Sequence, residues 1–159
     1  MTESAVTSID FENDSVPESI PAGVATRPVP WDTWTWARPS GRVLSAAVGA
    51  GALAAAVAMG GALQWTFWVG LLGPDLAVVA RIARDRSLKE VAEDGNWGES
   101  AIQWYNVLHD VRGPLATLGL GVLTPNHALV VGGLGWLAHI AIDRAVGFGK
   151  RHSDSSVIK

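Results

Sequence analysis

Residues 43–80 read VLSAAVGAGALAAAVAMGGALQWTFWVGLLGPDLAVVA, and Asp75 is their only charged residue. As a single helix this run would be about 57 Å long, nearly twice the hydrocarbon thickness of a bilayer. It therefore predicts two antiparallel transmembrane helices, folded back at Gly60-Gly61, where paired glycines favour a turn. The expected bounds are about 43–59 and 62–80. The first helix is dense in Ala and Gly, which lets helix backbones approach closely where lipid offers no hydrophobic drive for association.

Working outward, residues 1–30 are acidic, rich in Ser and Pro, and without periodicity, which predicts a disordered tail. A signal peptide would start basic and turn apolar quickly, so no cleavage is expected. Residues 31–42 carry Trp31, Trp34 and Trp36 with Arg38 and Arg42, a composition suited to the headgroup layer. Residues 81–100 form a charged loop with a short helix expected over 87–93. Two more spans are expected at about 101–123 and 127–148, joined by Thr124-Pro125-Asn126, with a polar tail over 150–159.

The basic residues orient this arrangement. The two hairpin turns hold no Lys or Arg. Arg38, Arg42, Arg81, Arg84, Arg86, Lys89, Arg144, Lys150 and Arg151 all fall at the opposite end if there are four spans. The positive-inside rule makes that end cytoplasmic. The expected architecture is an all-α, four-helix transmembrane bundle, up-down-up-down, with both termini cytoplasmic. The expected location is the plasma membrane, as a multi-pass protein. With 17% charged residues and a mean hydropathy of +0.23, the composition agrees. There is no cysteine, which excludes disulfides, thiolate catalysis and Cys-based zinc or Fe–S sites. No basic patch points to nucleic acid.

Charged groups within a bilayer are costly and rarely face lipid. Counted along each span, Asp75, His109, Asp110, Arg112, His139, Asp143 and Arg144 fall at a similar depth in the inner half. His139 and Asp143 share a helix face, as do Tyr105, His109 and Arg112; Asn106 and Asp110 lie beside them. Gly73-Pro74 and Gly113-Pro114 predict opened backbone next to Asp75 and Arg112. The bland alternative is a set of structural ion pairs, such as Asp75–Arg112 or Asp110–Arg144, with His139 donating to Asp143.

Gly73-Pro74-Asp75-Leu76, Tyr105-Asn106 with His109, Trp136-Leu137-Ala138-His139, Asp143-Arg144 and Gly147-Phe148-Gly149-Lys150 resemble an uncharacterised family of small bacterial and archaeal multi-pass membrane proteins, a domain of unknown function. The resemblance spans about residues 68–150. It implies a compact helical membrane protein and supplies no activity.

Three functions compete. The first is an accessory, interaction or assembly protein of a larger membrane complex, in contact with the lipid bilayer. The second is a metal-dependent membrane enzyme of lipid-hydrolase type. Asp75, His109, His139 and Asp143 would hold Zn²⁺ or Fe²⁺, Asp110 would be the base, and Arg112 or Arg144 would hold a phosphate headgroup. The third is a haem or pigment subunit with His109 and His139 as axial ligands.

Overall fold

The computed structural model describes residues 29–159; the expected disordered tail falls almost wholly outside them. Seven α-helices follow one another: α1 (Trp34–Ala37), α2 (Pro39–Ala58), α3 (Trp65–Asp85), α4 (Leu88–Asp94), α5 (Glu99–Leu108), α6 (Arg112–Leu123) and α7 (His127–Val146). Among the described residues, α2, α3 and α7 are long and apolar enough to cross a membrane. α7 is the central element and packs against α2, α3 and α6, while α5 packs on α3.

The turn between α2 and α3 sits where paired glycines suggest it. Gly60 takes the left-handed conformation (φ 73°), and a 3-10 turn over Gly61–Leu63 leads into Trp65. Pro39 occupies the first turn of α2, where a proline costs no hydrogen bond. α3 runs unbroken through Pro74, although the sequence suggests an opening there. Pro74 lacks an N–H, so the Gly70 carbonyl loses its helical partner, yet the helix continues for eleven further residues to Asp85.

The main departure from expectation is the third span. Where the sequence suggests one helix over 101–123, the chain forms two, α5 and α6, separated at residues 109–111. Pro114 supplies the reason. Its ring cannot accept the carbonyl of residue 110 in helical position, but a proline fits the first turn of a new helix. Asp110 then caps α6: its carboxylate accepts the Arg112 N–H at 2.9 Å. α5 lies against the lower half of α3, with Ala101 and Tyr105 packed on Val78 and Ile82. α6 lies against the first half of α7, where a side chain at Gly133 would meet Leu118 and one at Gly121 would meet Val130. The two half-helices thus cover different lengths of the bundle, and the gap between them falls at its middle.

Helix α4 carries a capping box. The Ser87 N–H donates to Glu90 Oε2 at 3.0 Å, and the Glu90 N–H donates to Ser87 Oγ at 3.2 Å. These bonds hold the Glu90 carboxyl below its ordinary value, the Ser87 amide contributing most.

Close helix contacts depend on glycine at α3–α7. A methyl at Gly70 would overlap the Gly132 carbonyl oxygen, and one at Gly135 would come to 2.5 Å from the Phe67 carbonyl oxygen. Both obstacles are backbone, so neither can swing aside. Gly70→Ala is expected to push α3 off α7 and to cost about 1–3 kcal/mol or more. A thermal unfolding midpoint in mild detergent equal to that of the parent would contradict this packing.

A candidate metal centre at the helix break

The break after α5 delivers His109 into the bundle. Its backbone at φ −100° and ψ 15° is the C-terminal cap of α5, and its side chain is 4% exposed. His139 and Asp143 come from one face of α7, a helical turn apart. Asp75 comes from α3. Four ligand atoms, one from each residue, all lie within 4.8 Å of one another.

The individual distances are informative. His109 Nε2 is 3.4 Å from Asp75 Oδ1 and 3.3 Å from Asp143 Oδ2. His139 Nε2 is 3.6 Å from Asp75 Oδ1 and 3.8 Å from Asp143 Oδ2. The two Nε2 atoms are 3.0 Å apart. Ligands held at about 2.0–2.2 Å around a tetrahedral ion stand about 3.3–3.6 Å from one another. Five of the six edges, at 3.0–3.8 Å, bracket that range. Two carboxylates also balance the charge of a divalent cation.

Outer contacts orient the ligands. The His109 Nδ1–H donates to the Tyr105 carbonyl at 2.9 Å, which leaves the Nε2 lone pair facing the quartet. Tyr105 stacks on the His109 ring with centroids 3.9 Å apart. The Arg151 guanidinium lies over Trp97 at 4.1 Å and over Tyr105 at 5.4 Å. Asn106 holds residue 151 in place: Nδ2 donates to the Arg151 carbonyl at 2.9 Å, and Oδ1 accepts the Arg151 N–H at 2.8 Å. The C-terminal residues, expected as a plain polar tail, therefore fold back over α5. An isolated antiparallel bridge between Arg151 and Val157 closes them on themselves.

The other expected site residues are employed elsewhere. Asp110 Oδ2 accepts from Lys150 Nζ at 2.7 Å, and its other oxygen caps α6. Arg112 is 73% exposed and reaches Asp110 only at 3.9 Å. Arg144 pairs with neither Asp110 nor the quartet but with Asp32, at 2.5 Å. The anticipated Asp75–Arg112 and Asp110–Arg144 pairs do not form among the ion pairs of the described residues. The His109–His139 spacing is shorter than that of two trans haem ligands. Trans ligands at about 2.0 Å from one ion stand about 4 Å apart, whereas these nitrogens are 3.0 Å apart with carboxylates around them.

Sequence reasoning missed Asp32 and misread Trp36. Trp36 is 1% exposed, in place of the expected headgroup position, while Trp31 and Trp34 are exposed. Its indole N–H donates to the Ile158 carbonyl at 2.7 Å, and its ring lies 5.2 Å from the Arg144 guanidinium. A side chain at Gly149 would overlap that ring. Asp32 is fully buried; its Oδ1 has no hydrogen-bond donor and faces Lys150 Nζ at 3.8 Å. The available signal was a lone acid in an aromatic and basic stretch, opposite an otherwise unpaired Arg144.

No curated protein and no solved structure matches the chain. Residues 95–157 match the family described as a domain of unknown function (DUF4260). The match covers α5, α6, α7 and the returning C-terminal segment, so it includes His109, His139 and Asp143 and leaves out Asp75. This part of the chain is thus similar to an uncharacterised family, and it holds three of this chain's four quartet residues.

Proposed function

We propose that the protein is a membrane-embedded metalloenzyme of hydrolytic type, with one divalent ion, Zn²⁺ by preference, held by His109, His139, Asp143 and Asp75. The observation that carries this is that four N and O atoms delivered by three separate elements lie within 4.8 Å of one another, five of their spacings at 3.0–3.8 Å. Imidazole with carboxylate in fourfold arrangement suits Zn²⁺; Fe²⁺ would use the same atoms with open positions.

The ligands differ in burial, and the difference favours chemistry over a purely structural ion. His109, His139 and Asp143 have side chains 4%, 8% and 21% exposed, whereas that of Asp75 is 61% exposed. Two imidazoles and one carboxylate form the enclosed part, and Asp75 is the ligand that can give way to water. A water on the ion would have its pKa lowered to about 7, and the Asp75 carboxylate stands ready to take its proton. An ion held there would supply Lewis acidity for water to add to an ester or amide carbonyl, with Asp75 passing the water's proton to the leaving group as the carbon–heteroatom bond breaks. The four ligand atoms move the balance away from an accessory or assembly role.

The membrane setting is part of the same proposal. α2, α3 and α7 cross the bilayer, and α5–α6 is a discontinuous third crossing in an up-down-up-down bundle. Broken helices are tolerated at membrane depth where the freed backbone meets protein. Both ends of the described chain lie together, since Trp36 binds Ile158, and the basic clusters gather there. That end is cytoplasmic, and the membrane is the cell membrane.

The test is metal analysis of protein purified in mild detergent, followed by replacement of the ion with Co²⁺. One ion per chain is expected, with an absorption spectrum that shifts when azide is added. Absence of any stoichiometric metal would sink the centre. A Co²⁺ spectrum blind to azide would leave a closed structural site and remove the hydrolytic part.

A further inference from the structure

Residues 150–158 return across the bundle and are bound at both ends. Lys150 Nζ donates to Asp110 at 2.7 Å, and the Trp36 indole N–H donates to the Ile158 carbonyl at 2.7 Å. Within the segment, the Ile158 N–H donates to the Lys150 carbonyl at 2.9 Å and the His152 N–H to the Ser156 carbonyl at 2.8 Å. Ser155 takes the left-handed conformation (φ 68°), which a residue other than glycine keeps only where its contacts hold it. Those contacts are present. Ser155 Oγ accepts the Trp97 N–H at 3.1 Å, and the Ser155 carbonyl accepts from Arg151 Nη1 at 2.6 Å. The segment is therefore a clasp that ties α5 and the loop before it to the N-terminal residues.

Arg151 is the residue through which this clasp reaches the candidate centre. Asn106 fixes its backbone, its guanidinium lies over the rings of Trp97 and Tyr105, and its Nε is buried with no hydrogen-bond partner. A cation stripped of water is held by aromatic rings more strongly than one at the surface. The Trp97 ring meets Tyr105 edge-on, with centroids 5.5 Å apart. Tyr105 in turn stacks on His109, with centroids 3.9 Å apart and the planes 20° from parallel. The Nδ1–H bond to the Tyr105 carbonyl anchors one atom of the His109 ring. The stack sets the plane of that ring, and the plane decides where Nε2 points. A chain of contacts thus runs from Arg151 through Tyr105 to His109 and the two carboxylates.

We propose that Arg151 is a positioning residue for the metal centre, and that closure of the clasp over 150–158 and binding of the ion favour one another. With the clasp closed, the Tyr105 ring is held against His109 and Nε2 stays on the quartet. With the ion bound, His109 is fixed and holds Tyr105 under Arg151. This rests on the metal-centre reading. Coupling between two sites is reciprocal, so the clasp senses the ion by the factor with which the ion senses the clasp.

The test titrates the full-length protein in mild detergent with Zn²⁺ against a chromophoric chelator, and reads ligand geometry from the Co²⁺ form. Arg151→Gln should weaken Zn²⁺ binding about tenfold, the low end of what loss of an outer contact of a metal-bound histidine costs, and should shift the Co²⁺ absorption bands. Ser155→Ala removes the bond to the Trp97 N–H and leaves Arg151 in place, so it should weaken binding in the same sense by a smaller factor. It decides the matter if Arg151→Gln does not fold. In the parent, Zn²⁺ should slow tryptic cleavage after Lys150 by about the same tenfold, while cleavage after the exposed Lys89 stays unchanged. Parental affinity and an unchanged Co²⁺ spectrum in the variants would overturn the coupling and leave the centre standing. Equal protection at Lys150 and Lys89 would also overturn it, since that reports global stability alone. A parent that binds no metal would sink the centre and the coupling with it.

Discussion

Replacing His109 with alanine is expected to abolish stoichiometric metal binding and to remove the stabilisation that the ion provides. His109 is the residue on which several features converge. Its Nε2 faces both carboxylates and the second imidazole, and its Nδ1 is committed to the Tyr105 carbonyl. Loss of an outer contact of a metal-bound histidine typically costs about 10–100-fold in affinity, so loss of the ligand itself should cost more. Without the ion, Asp75 and Asp143 stand close together with no cation between them. At an ion concentration 100 times Kd, binding contributes about 2.7 kcal/mol to stability. The parent protein should therefore lose thermal stability when treated with a chelator, and His109→Ala should not respond to it. His139→Ala should behave alike. A His109→Ala protein that retains one ion per chain at parental affinity would refute the ligand assignment.

The second large effect is expected at Asp32. Its carboxylate is 1% exposed and is bound by Arg144, which is 8% exposed. Asp32→Ala leaves the Arg144 guanidinium buried without its partner, and breaking such a pair costs about 3–5 kcal/mol. Lys150 loses its second carboxylate at the same time and keeps only Asp110. The C-terminal segment should then loosen, with faster tryptic cleavage after Lys150 and Arg151. The double variant Asp32→Leu with Arg144→Met should recover much of the loss, because an apolar pair of similar volume avoids the desolvation penalty. Unfolding of Asp32→Ala within about 0.5 kcal/mol of the parent would show that this network carries no structural role.

These two sites differ in how far they could be read from the chain. The quartet was legible because, for a chain read as spanning a bilayer, depth is a one-dimensional quantity. Counting residues from the basic boundary placed Asp75, His109, His139 and Asp143 at a common level, and a membrane makes a common level almost a meeting place. The same count also admitted Asp110, Arg112 and Arg144, and it could not choose among them. That choice depends on azimuth around each helix, which the break at residues 109–111 resets. Beyond the break, Asp110 turns to Lys150 and the cap of α6, and Arg112 turns to the surface.

The apolar run at 43–80 by itself determined that this is a helical chain with long apolar segments, folded back at Gly60. Such a run can satisfy its backbone in lipid only as helices, and its length requires a turn. Tertiary structure decided the rest. It set α5 and α6 as separate half-helices, drew Trp36 and Asp32 inward to Arg144, and closed the C-terminal residues over Tyr105 and Asn106. Those outcomes rest on contacts between residues as far as 122 positions apart. No local preference encodes such contacts, because each partner is an ordinary surface residue until the other arrives.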